Sequence, residues 1–270
     1  MTRPGKPDPR RRWNNKRPRH TFSAMALCEF RFFSKVLGKQ VGAYVLMPDR
    51  GKPPFATLYL LHGLSDDYTT WLRRSRIEYY VRDLPLAVVM PDGFRGAYTD
   101  NAAGPAYARY MIEDVVGGAE RHFRLRADRS ARAVGGLSMG GYGALRLGLG
   151  FPDVFSSVHS HSGALLWGAR ASDSAEFTRV FGESPAGTDH DLLALAERCK
   201  ANAALPEILI DCGVDDFLFN DNETFVAALK DRGVPHTYRT FPGAHDWDYW
   251  DEHVRDAVAF HGRNLNLAKP

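Results

Sequence analysis

The amino-acid sequence predicts an α/β protein in which helices cover both faces of a mostly parallel sheet. Short β-rich runs alternate with helix-like segments from residue 26 onward, and no unit of 20 to 50 residues repeats. With 270 residues, 44% of them hydrophobic and 25% charged, the chain has the balance of one globular domain. Ligands of such folds bind at the carboxyl ends of the strands, so functional residues are expected just after the β-rich runs.

The predicted elements follow in order along the chain. A hairpin is expected over 26–33 and 41–47, because both runs have an alternating residue pattern and Gly38 lies between them. Short runs that end in small or turn-forming residues predict further strands at 55–61, 86–90, 131–136, 154–160 and 208–212. Another strand exit is expected at 241. Helices are expected at about 69–82, 105–123, 139–149, 189–200, 219–232 and 247–262. This β-then-α order favours a parallel sheet.

Basic charge is concentrated at the N-terminus. Residues 1–20 hold eight Lys or Arg side chains and one carboxylate, whereas residues 21–270 hold 27 basic and 31 acidic side chains. Because so polar a segment buries no core, residues 1–24 are predicted to be a disordered basic tail and residues 25–270 an α/β domain. The body offers no basic face, so nucleic-acid binding is not expected.

Composition also predicts the compartment. No apolar run approaches the roughly 18 to 20 residues of a membrane helix, and the paired arginines at 10–12 precede no apolar export segment, so neither membrane association nor export is expected. Cys28, Cys199 and Cys212 are an odd and widely spaced set, typical of reduced, buried thiols. A cytoplasmic location is therefore expected.

The most informative motif lies where a predicted strand meets a predicted helix. Residues 136–140 read Gly-Leu-Ser-Met-Gly and fit G-x-S-x-G in its strand–turn–helix context. A serine on so sharp a turn has a strained backbone, and flanking side chains would collide, which requires Gly136 and Gly140. Ser138 is predicted to be a nucleophile, with the Met139 amide facing a developing oxyanion. The alternative is a glycine-rich helix start packed against the sheet.

A serine nucleophile needs a general base and an acid that orients the base. In the hydrolase order of Ser, acid, His, both follow Ser138. His245 stands at a strand exit before a helix and is the predicted base. Asp211 falls within the end of the preceding strand, whereas Asp215 and Asp216 lie in the loop that follows it. The residues alone leave the choice between Asp215 and Asp216 open.

A second oxyanion donor is expected from the loop after an earlier strand. Gly63 permits close backbone approach there, and the Leu64 amide is the predicted donor. The alternative is a plain strand-to-helix turn. The neighbouring His62 is expected to shape the loop rather than to transfer protons.

The remaining histidines of the domain are not expected to act in catalysis. His159 and His161 alternate along one strand, but no third ligand is evident nearby, so core or pocket-lining positions are favoured over a metal site. Solvated positions are expected for His122, His190, His236, His253 and His261. No metal, nucleotide or flavin cofactor is expected, since neither a ligand cluster nor G-x-G-x-x-G after a first strand occurs.

Six motifs in sequence order resemble the putative-esterase branch of the α/β-hydrolases. They are LYLLHGL (58–64), VVMPDG (88–93), YTD (98–100), GLSMGGYGAL (136–145), DCGVDDFL (211–218) and GAHDWDYW (243–250). The branch includes esterase D or S-formylglutathione hydrolase, tributyrin-type, feruloyl and acetylxylan esterases, and mycolyltransferases. The resemblance covers about residues 26–263 and implies an α/β-hydrolase fold.

The resemblance also implies a role for each matching residue. Ser138 is then the nucleophile, His245 the base and Asp216 the acid, because the family's acid stands three residues after the glycine that here is Gly213. The implied oxyanion amides are those of Leu64 and Met139. A homodimer is implied by the resemblance alone.

These observations predict a serine carboxylesterase that hydrolyses short-chain acyl esters of small molecules. Only about 40 residues separate 163 from 205, which is too few for a large cap domain and favours a shallow pocket. The expected lining residues are Gly63, Tyr98, Tyr107, Trp167, Trp247 and Trp250.

Four alternatives remain. A thioesterase of the S-formylglutathione type shares the machinery, although the loop 65–71 lacks the cysteine usual in that subfamily. A feruloyl or acetylxylan-type carbohydrate esterase and an acyltransferase use the same acyl-serine chemistry. A non-enzymatic binding module of this fold usually lacks a member of the triad, whereas Ser138, His245 and an acid are all present.

Overall fold

The computed structural model describes residues 25–267, and these contain one eight-stranded mixed sheet. Its strands are β1 (Met25–Ser34), β2 (Lys39–Pro48), β3 (Ala56–Leu61), β4 (Leu86–Pro91), β5 (Arg132–Leu137), β6 (Ser157–His161), β7 (Glu207–Gly213) and β8 (Thr237–Phe241). Their spatial order is β1-β2-β4-β3-β5-β6-β7-β8. The pairs β1–β2 and β2–β4 are antiparallel, and the others are parallel. The predicted mostly parallel sheet is confirmed, whereas the predicted tail 1–24 lies outside the described residues.

Helices connect these strands. They are α1 (Thr70–Arg74), α2 (Ile77–Val81), α3 (Tyr107–Arg109), α4 (Gly117–His122), α5 (Met139–Gly150), α6 (Ala175–Phe181), α7 (Leu192–Ala201), α8 (Phe219–Asp231) and α9 (Trp247–Asn264). A π-helical segment, Tyr110–Val116, joins α3 to α4. The single helix expected at 69–82 is wrong, because Ser75 adopts an extended backbone that ends α1 before α2 begins.

The core lies on both faces of the sheet. Alternate residues of β3 point to opposite faces, so Tyr59 and Leu61 belong to the cluster that contains α5, whereas Leu58 and Leu60 pack with α1, α2 and α9. A Cβ at Gly140 would lie 2.5 Å from the Leu61 carbonyl oxygen. The glycine therefore brings α5 close to β3 directly beside Ser138.

Two histidines expected in solvent are buried. His253 and His261 lie on the face of α9 that packs on the sheet, together with Val254, Ala257 and Val258. The spacing of this buried stripe is helical, so the position on the helix decides burial although the residue type is polar. The expectation of solvated side chains at these two positions is wrong.

His159 and His161 of β6 and His261 of α9 form an interior histidine cluster. The His159 and His261 rings are joined from Nδ1 to Nε2 at 2.7 Å, and the His261 Nδ1 lies 2.7 Å from the Ser157 hydroxyl. All three rings are buried, which confirms the expected core positions of His159 and His161. Within residues 25–267, no group of His, Cys, Asp or Glu side chains is arranged to hold a metal ion.

All three cysteines are free thiols. Cys199 and Cys212 are buried as expected, whereas Cys28 is only half-buried because it lies on β1, the edge strand of the sheet. In the described part of the chain, no helix is both long and apolar enough to cross a membrane.

Candidate active site

Ser138 stands on the sharp turn between β5 and α5. Its backbone lies in the left-handed region, with φ 52° and ψ −117°, a strained conformation that persists only where surrounding structure fixes it. Its amide donates to the His161 carbonyl at 2.9 Å, and its own carbonyl accepts from the amides of Tyr142 and Ala164. The turn thus presents the Ser138 side chain, 9% exposed, at the carboxyl edge of the sheet.

Two loops at the same edge bring a histidine and a carboxylate to Ser138. His245 follows β8, and its Nε2 lies 2.9 Å from the Ser138 Oγ. Asp216 follows β7, and its two carboxylate oxygens lie 2.9 and 3.0 Å from the His245 Nδ1. The neighbouring Asp215 is exposed and instead donates its amide to the Gly243 carbonyl. Asp216 is therefore the acid that contacts His245.

The hydrogen bonds around Asp216 determine which atoms carry the protons in the series Ser138, His245 and Asp216. Burial opposes ionisation of the carboxyl group, but hydrogen bonds from His245 and from the Leu218 amide outweigh it, and the pKa of Asp216 is lowered. An ionised carboxylate only accepts hydrogen bonds, so the neutral His245 ring carries its proton on Nδ1. Its Nε2 is then free to accept a hydrogen bond from the Ser138 hydroxyl.

The start of α5 and the loop after β3 both lie close to Ser138. Met139 is the first residue of α5, so its amide has no acceptor within the helix. The Leu64 amide follows Gly63, where a Cβ would lie 2.8 Å from the Leu137 Cδ1 and 3.8 Å from the Ser138 Cβ. The missing side chain at Gly63 allows this loop to approach the serine.

An open pocket of about 420 Å³ surrounds Ser138 and His245. Gly63, Trp167, Trp247 and Trp250 line it, as expected. Phe217, which was not among the predicted lining residues, also lines it and is 76% exposed, with its ring centroid 4.4 Å from that of His245. Its place directly after Asp216, in a loop at the edge that holds the site, is the signal that points to it.

Tyr98 does not line the pocket, contrary to expectation. Its ring is fully buried in the space left open by Gly93 and Gly143, where a Cβ would lie 2.1 and 2.3 Å from ring atoms. Its hydroxyl accepts from the His62 amide at 3.0 Å and donates to the His62 carbonyl at 3.1 Å. Tyr98 therefore supports the loop that carries Leu64 from behind.

A larger groove of about 580 Å³ adjoins the pocket and shares Leu64, Ser65 and Asp66 with it. Tyr107 lines this neighbouring groove rather than the pocket at Ser138. The charged side chains of the groove are those of Asp66, Asp67, Asp92, Glu176, Arg95 and Arg179. Four carboxylates against two guanidinium groups make the groove acidic.

The fold and the hydrogen-bonded Ser138, His245 and Asp216 define a site of the α/β-hydrolase class. The model of the family described as "Putative esterase" matches residues 34–261, and the chain belongs to this family of carboxylester hydrolases. An acetyl esterase of Caldicellulosiruptor saccharolyticus is 31% identical over 257 residues, which cover 86% of this chain and 97% of the relative.

Solved structures agree with the family. The chain resembles fluorophosphonate-binding serine hydrolase F of Staphylococcus aureus with a TM-score of 0.80 and 32% identity, covering 88% of this chain and 98% of that one. An S-formylglutathione hydrolase of the same organism gives a TM-score of 0.79 and 32% identity, covering 88% and 99%. The α/β-hydrolase fold and esterase activity predicted from the motifs are confirmed.

Proposed function

We propose that this esterase hydrolyses short-chain acyl esters through an acyl-enzyme on Ser138. The observation that carries the proposal is the continuous hydrogen-bonded path from the Ser138 Oγ through both ring nitrogens of His245 to Asp216. Such a path activates a hydroxyl that is a poor nucleophile by itself at neutral pH.

In the first half of the reaction, the Ser138 Oγ attacks the ester carbonyl carbon while His245 Nε2 takes the hydroxyl proton. The imidazolium that forms is stabilised by the ionised Asp216, whose lowered pKa keeps it charged. The amides of Leu64 and Met139 donate hydrogen bonds to the oxyanion, and the positive end of the α5 dipole stabilises its negative charge. Collapse of the tetrahedral intermediate passes the proton from His245 to the departing alcohol and leaves an acyl-serine.

In the second half, water takes the place of the alcohol beside His245. The ring accepts a proton from this water, which attacks the acyl carbonyl, and the same two amides hold the second oxyanion. Return of the proton to the Ser138 Oγ releases the carboxylic acid and restores the enzyme. Asp216 keeps the ring in one tautomer through both halves.

Pocket shape favours short acyl groups. The space around Ser138 is open, and Trp167, Trp247 and Phe217 form apolar walls close to the reacting atoms. Because the pocket is open to solvent, an acetyl or butyryl group is held between these walls, whereas the far end of an octanoyl chain extends toward the open side and gains less from burial.

A glutathione thioesterase is the second candidate function, because an S-formylglutathione hydrolase is among the similar structures. The same serine chemistry serves either substrate. A glutathione thioester carries two carboxylates and one ammonium group, so the acidic neighbouring groove repels its net negative charge. This charge favours esters of uncharged alcohols over the thioester.

A cytoplasmic location is proposed on the free thiols of Cys28, Cys199 and Cys212, which suit a reducing compartment. No described feature bears on the homodimer, which stays a prediction of the resemblance.

Hydrolysis of p-nitrophenyl acetate, butyrate and octanoate tests the proposal, with S-formylglutathione as the competing substrate. We expect kcat/KM to fall from butyrate to octanoate and to be lowest for the thioester. Ser138→Ala is expected to lose about 10⁴-fold or more in kcat, because the nucleophile is gone. The exposed Ser130→Ala is the matched control and is expected to keep wild-type rates. A Ser138→Ala enzyme that retains most of its activity contradicts the proposal.

A further inference from the structure

His62 is buried directly before the loop that carries Leu64, and no step of the reaction uses it. The Gly93 amide donates to its Nε2 at 2.9 Å, and its Nδ1 lies 2.7 Å from the Gly63 carbonyl oxygen. A backbone amide only donates, so Nε2 is the acceptor and the neutral ring carries its proton on Nδ1. His62 therefore donates a hydrogen bond to the Gly63 carbonyl.

We propose that His62 is a positioning residue that sets the direction of the Leu64 amide. The Gly63 carbonyl and the Leu64 N–H belong to one planar peptide unit and point in opposite directions. A donor that holds the carbonyl therefore also holds the N–H, which points away from the His62 ring. The Asp66 amide donates to the same carbonyl at 3.2 Å, so two donors fix the plane. This inference rests on the proposed function, in which the Leu64 amide stabilises the oxyanion.

His62 is itself held in place. The Tyr98 hydroxyl bridges the amide and the carbonyl of His62. Phe94, Ala97 and Tyr98, in the segment that supports His62, all have φ near +50°. Strained backbone of this kind persists where the surrounding structure over-determines it, and it clusters at functional sites.

The consequence of this support is expected in kcat rather than in KM. An oxyanion donor acts where charge develops, so its correct direction matters most in the transition state. Loss of one such donor costs about 10²- to 10³-fold in kcat, and a donor left in place but no longer held loses part of that.

Two substitutions separate the Gly63 hydrogen bond from the packing of the ring. In His62→Asn the side-chain amide nitrogen takes the place of Nδ1 and still donates to the Gly63 carbonyl. In His62→Gln the longer amide reaches the place of Nε2 opposite the Gly93 amide but leaves the carbonyl without its donor. Both side chains are uncharged and smaller than the ring.

We expect His62→Gln to lose about 10- to 100-fold in kcat on p-nitrophenyl acetate with KM within about 3-fold of wild type. His62→Asn is expected to stay within about 5-fold of wild type in both. Tyr98→Phe, which removes the hydroxyl and keeps the ring, is expected to lower kcat by about 3- to 10-fold and serves as the test if a His62 variant does not fold. Thermal melting of each variant confirms that the measured enzyme is folded.

Three results decide the matter. Wild-type kcat in folded His62→Gln, or in Tyr98→Phe where the His62 variants do not fold, overturns the inference. Equal losses of kcat in folded His62→Gln and His62→Asn also overturn it, since the Gly63 hydrogen bond is then irrelevant. If Ser138→Ala stays active, the proposed function itself fails, and that result does not depend on His62.

Discussion

Two histidine–aspartate pairs lie at the carboxyl ends of neighbouring strands and differ in what their rings face. His161 Nδ1 lies 2.7 Å from an Asp211 oxygen, and His245 Nδ1 lies 2.9 Å from an Asp216 oxygen. The Nε2 of His245 meets the Ser138 hydroxyl at the pocket, whereas the Nε2 of His161 is buried and has no hydrogen-bond partner within residues 25–267. A carboxylate partner alone therefore does not make a reactive histidine.

The surroundings of the two pairs explain the difference. Asp211 also accepts a hydrogen bond from the buried Tyr249 hydroxyl at 3.0 Å, and His161 packs against His159 at a ring distance of 4.6 Å. Burial lowers the pKa of His159 far below its usual range, and burial followed by the nearby His161 lowers the pKa of His261 to about 3. The interior pair belongs to a buried structural cluster, whereas the pair at the pocket is placed to exchange protons.

The largest expected effect separates the two rings. His245→Gln removes the base, so we expect kcat to fall by about 10⁴-fold or more with a nearly unchanged melting temperature. His161→Gln, as the matched variant, is expected to lower the melting temperature because it disturbs a buried network, while folded enzyme keeps kcat within about 10-fold. Steady-state kinetics and thermal melting measure both. A His161→Gln variant that is stable but inactive would contradict this distinction between the two histidines.

The second effect concerns the acids. Asp216→Asn leaves His245 without the acceptor that fixes its tautomer, and we expect kcat to fall by about 10³- to 10⁴-fold. Asp215→Asn changes an exposed side chain with no contact to the ring and is expected to match wild type. Kinetics on p-nitrophenyl acetate distinguish the two. A large loss in Asp215→Asn with little loss in Asp216→Asn would show that Asp215, and not Asp216, is the acid.

The third effect is the pH dependence of stability. The pKa of His159 and His261 is lowered in the folded state, so below about pH 6.5 the unfolded chain binds protons that the folded protein does not. Stability is full above this pH and is expected to fall by about 1.4 kcal/mol per pH unit for each of these histidines as the pH decreases toward 5.

Denaturant unfolding between pH 8 and 5 measures this dependence. His261→Gln is expected to flatten it by removing one titrating group, whereas substitution of the exposed His122 by Gln is the control. An identical pH dependence in wild type and His261→Gln would show that the interior ring is charged in the folded protein or does not contribute.

The smallest effect concerns the open side of the pocket. Phe217 exposes most of its ring beside His245, and a flat group of the substrate gains contact there. Phe217→Ala is expected to raise KM for p-nitrophenyl butyrate by about 3- to 10-fold with little change in kcat. The exposed Tyr79→Ala is the control, since Tyr79 is not among the residues that line the pocket. Unchanged KM in Phe217→Ala would remove this residue from substrate binding.

The positions of Ser138 and His245 follow from sequence because each rests on a local rule. A serine between two glycines at a strand–helix junction fixes the first, and the strand exit before the last helix fixes the second. The chain order places the acid only as far as the loop after β7. The choice of Asp216 over Asp215 needed either the family resemblance or the structure, because adjacent loop residues point in different directions that depend on the loop's backbone.

Packing between elements that are distant along the chain could not be predicted from the sequence. The burial of His253 and His261 depends on which face of α9 meets the sheet. Solvent exposure was expected because histidine is polar. Tyr98 and Tyr107 both lie in the segment after β4, yet Tyr98 supports the Leu64 loop and Tyr107 lines the neighbouring groove. Phe217 was missed because an exposed aromatic next to a loop acid carries no periodic signal.

The most direct test of the central claim is the site of labelling by a fluorophosphonate, found by mass spectrometry of the intact protein and its peptides. We expect one adduct per chain, on Ser138, with parallel loss of esterase activity, no adduct in Ser138→Ala and much slower labelling in His245→Gln. An adduct on another serine, or full ester hydrolysis by an enzyme that remains unlabelled, would contradict Ser138 as the nucleophile.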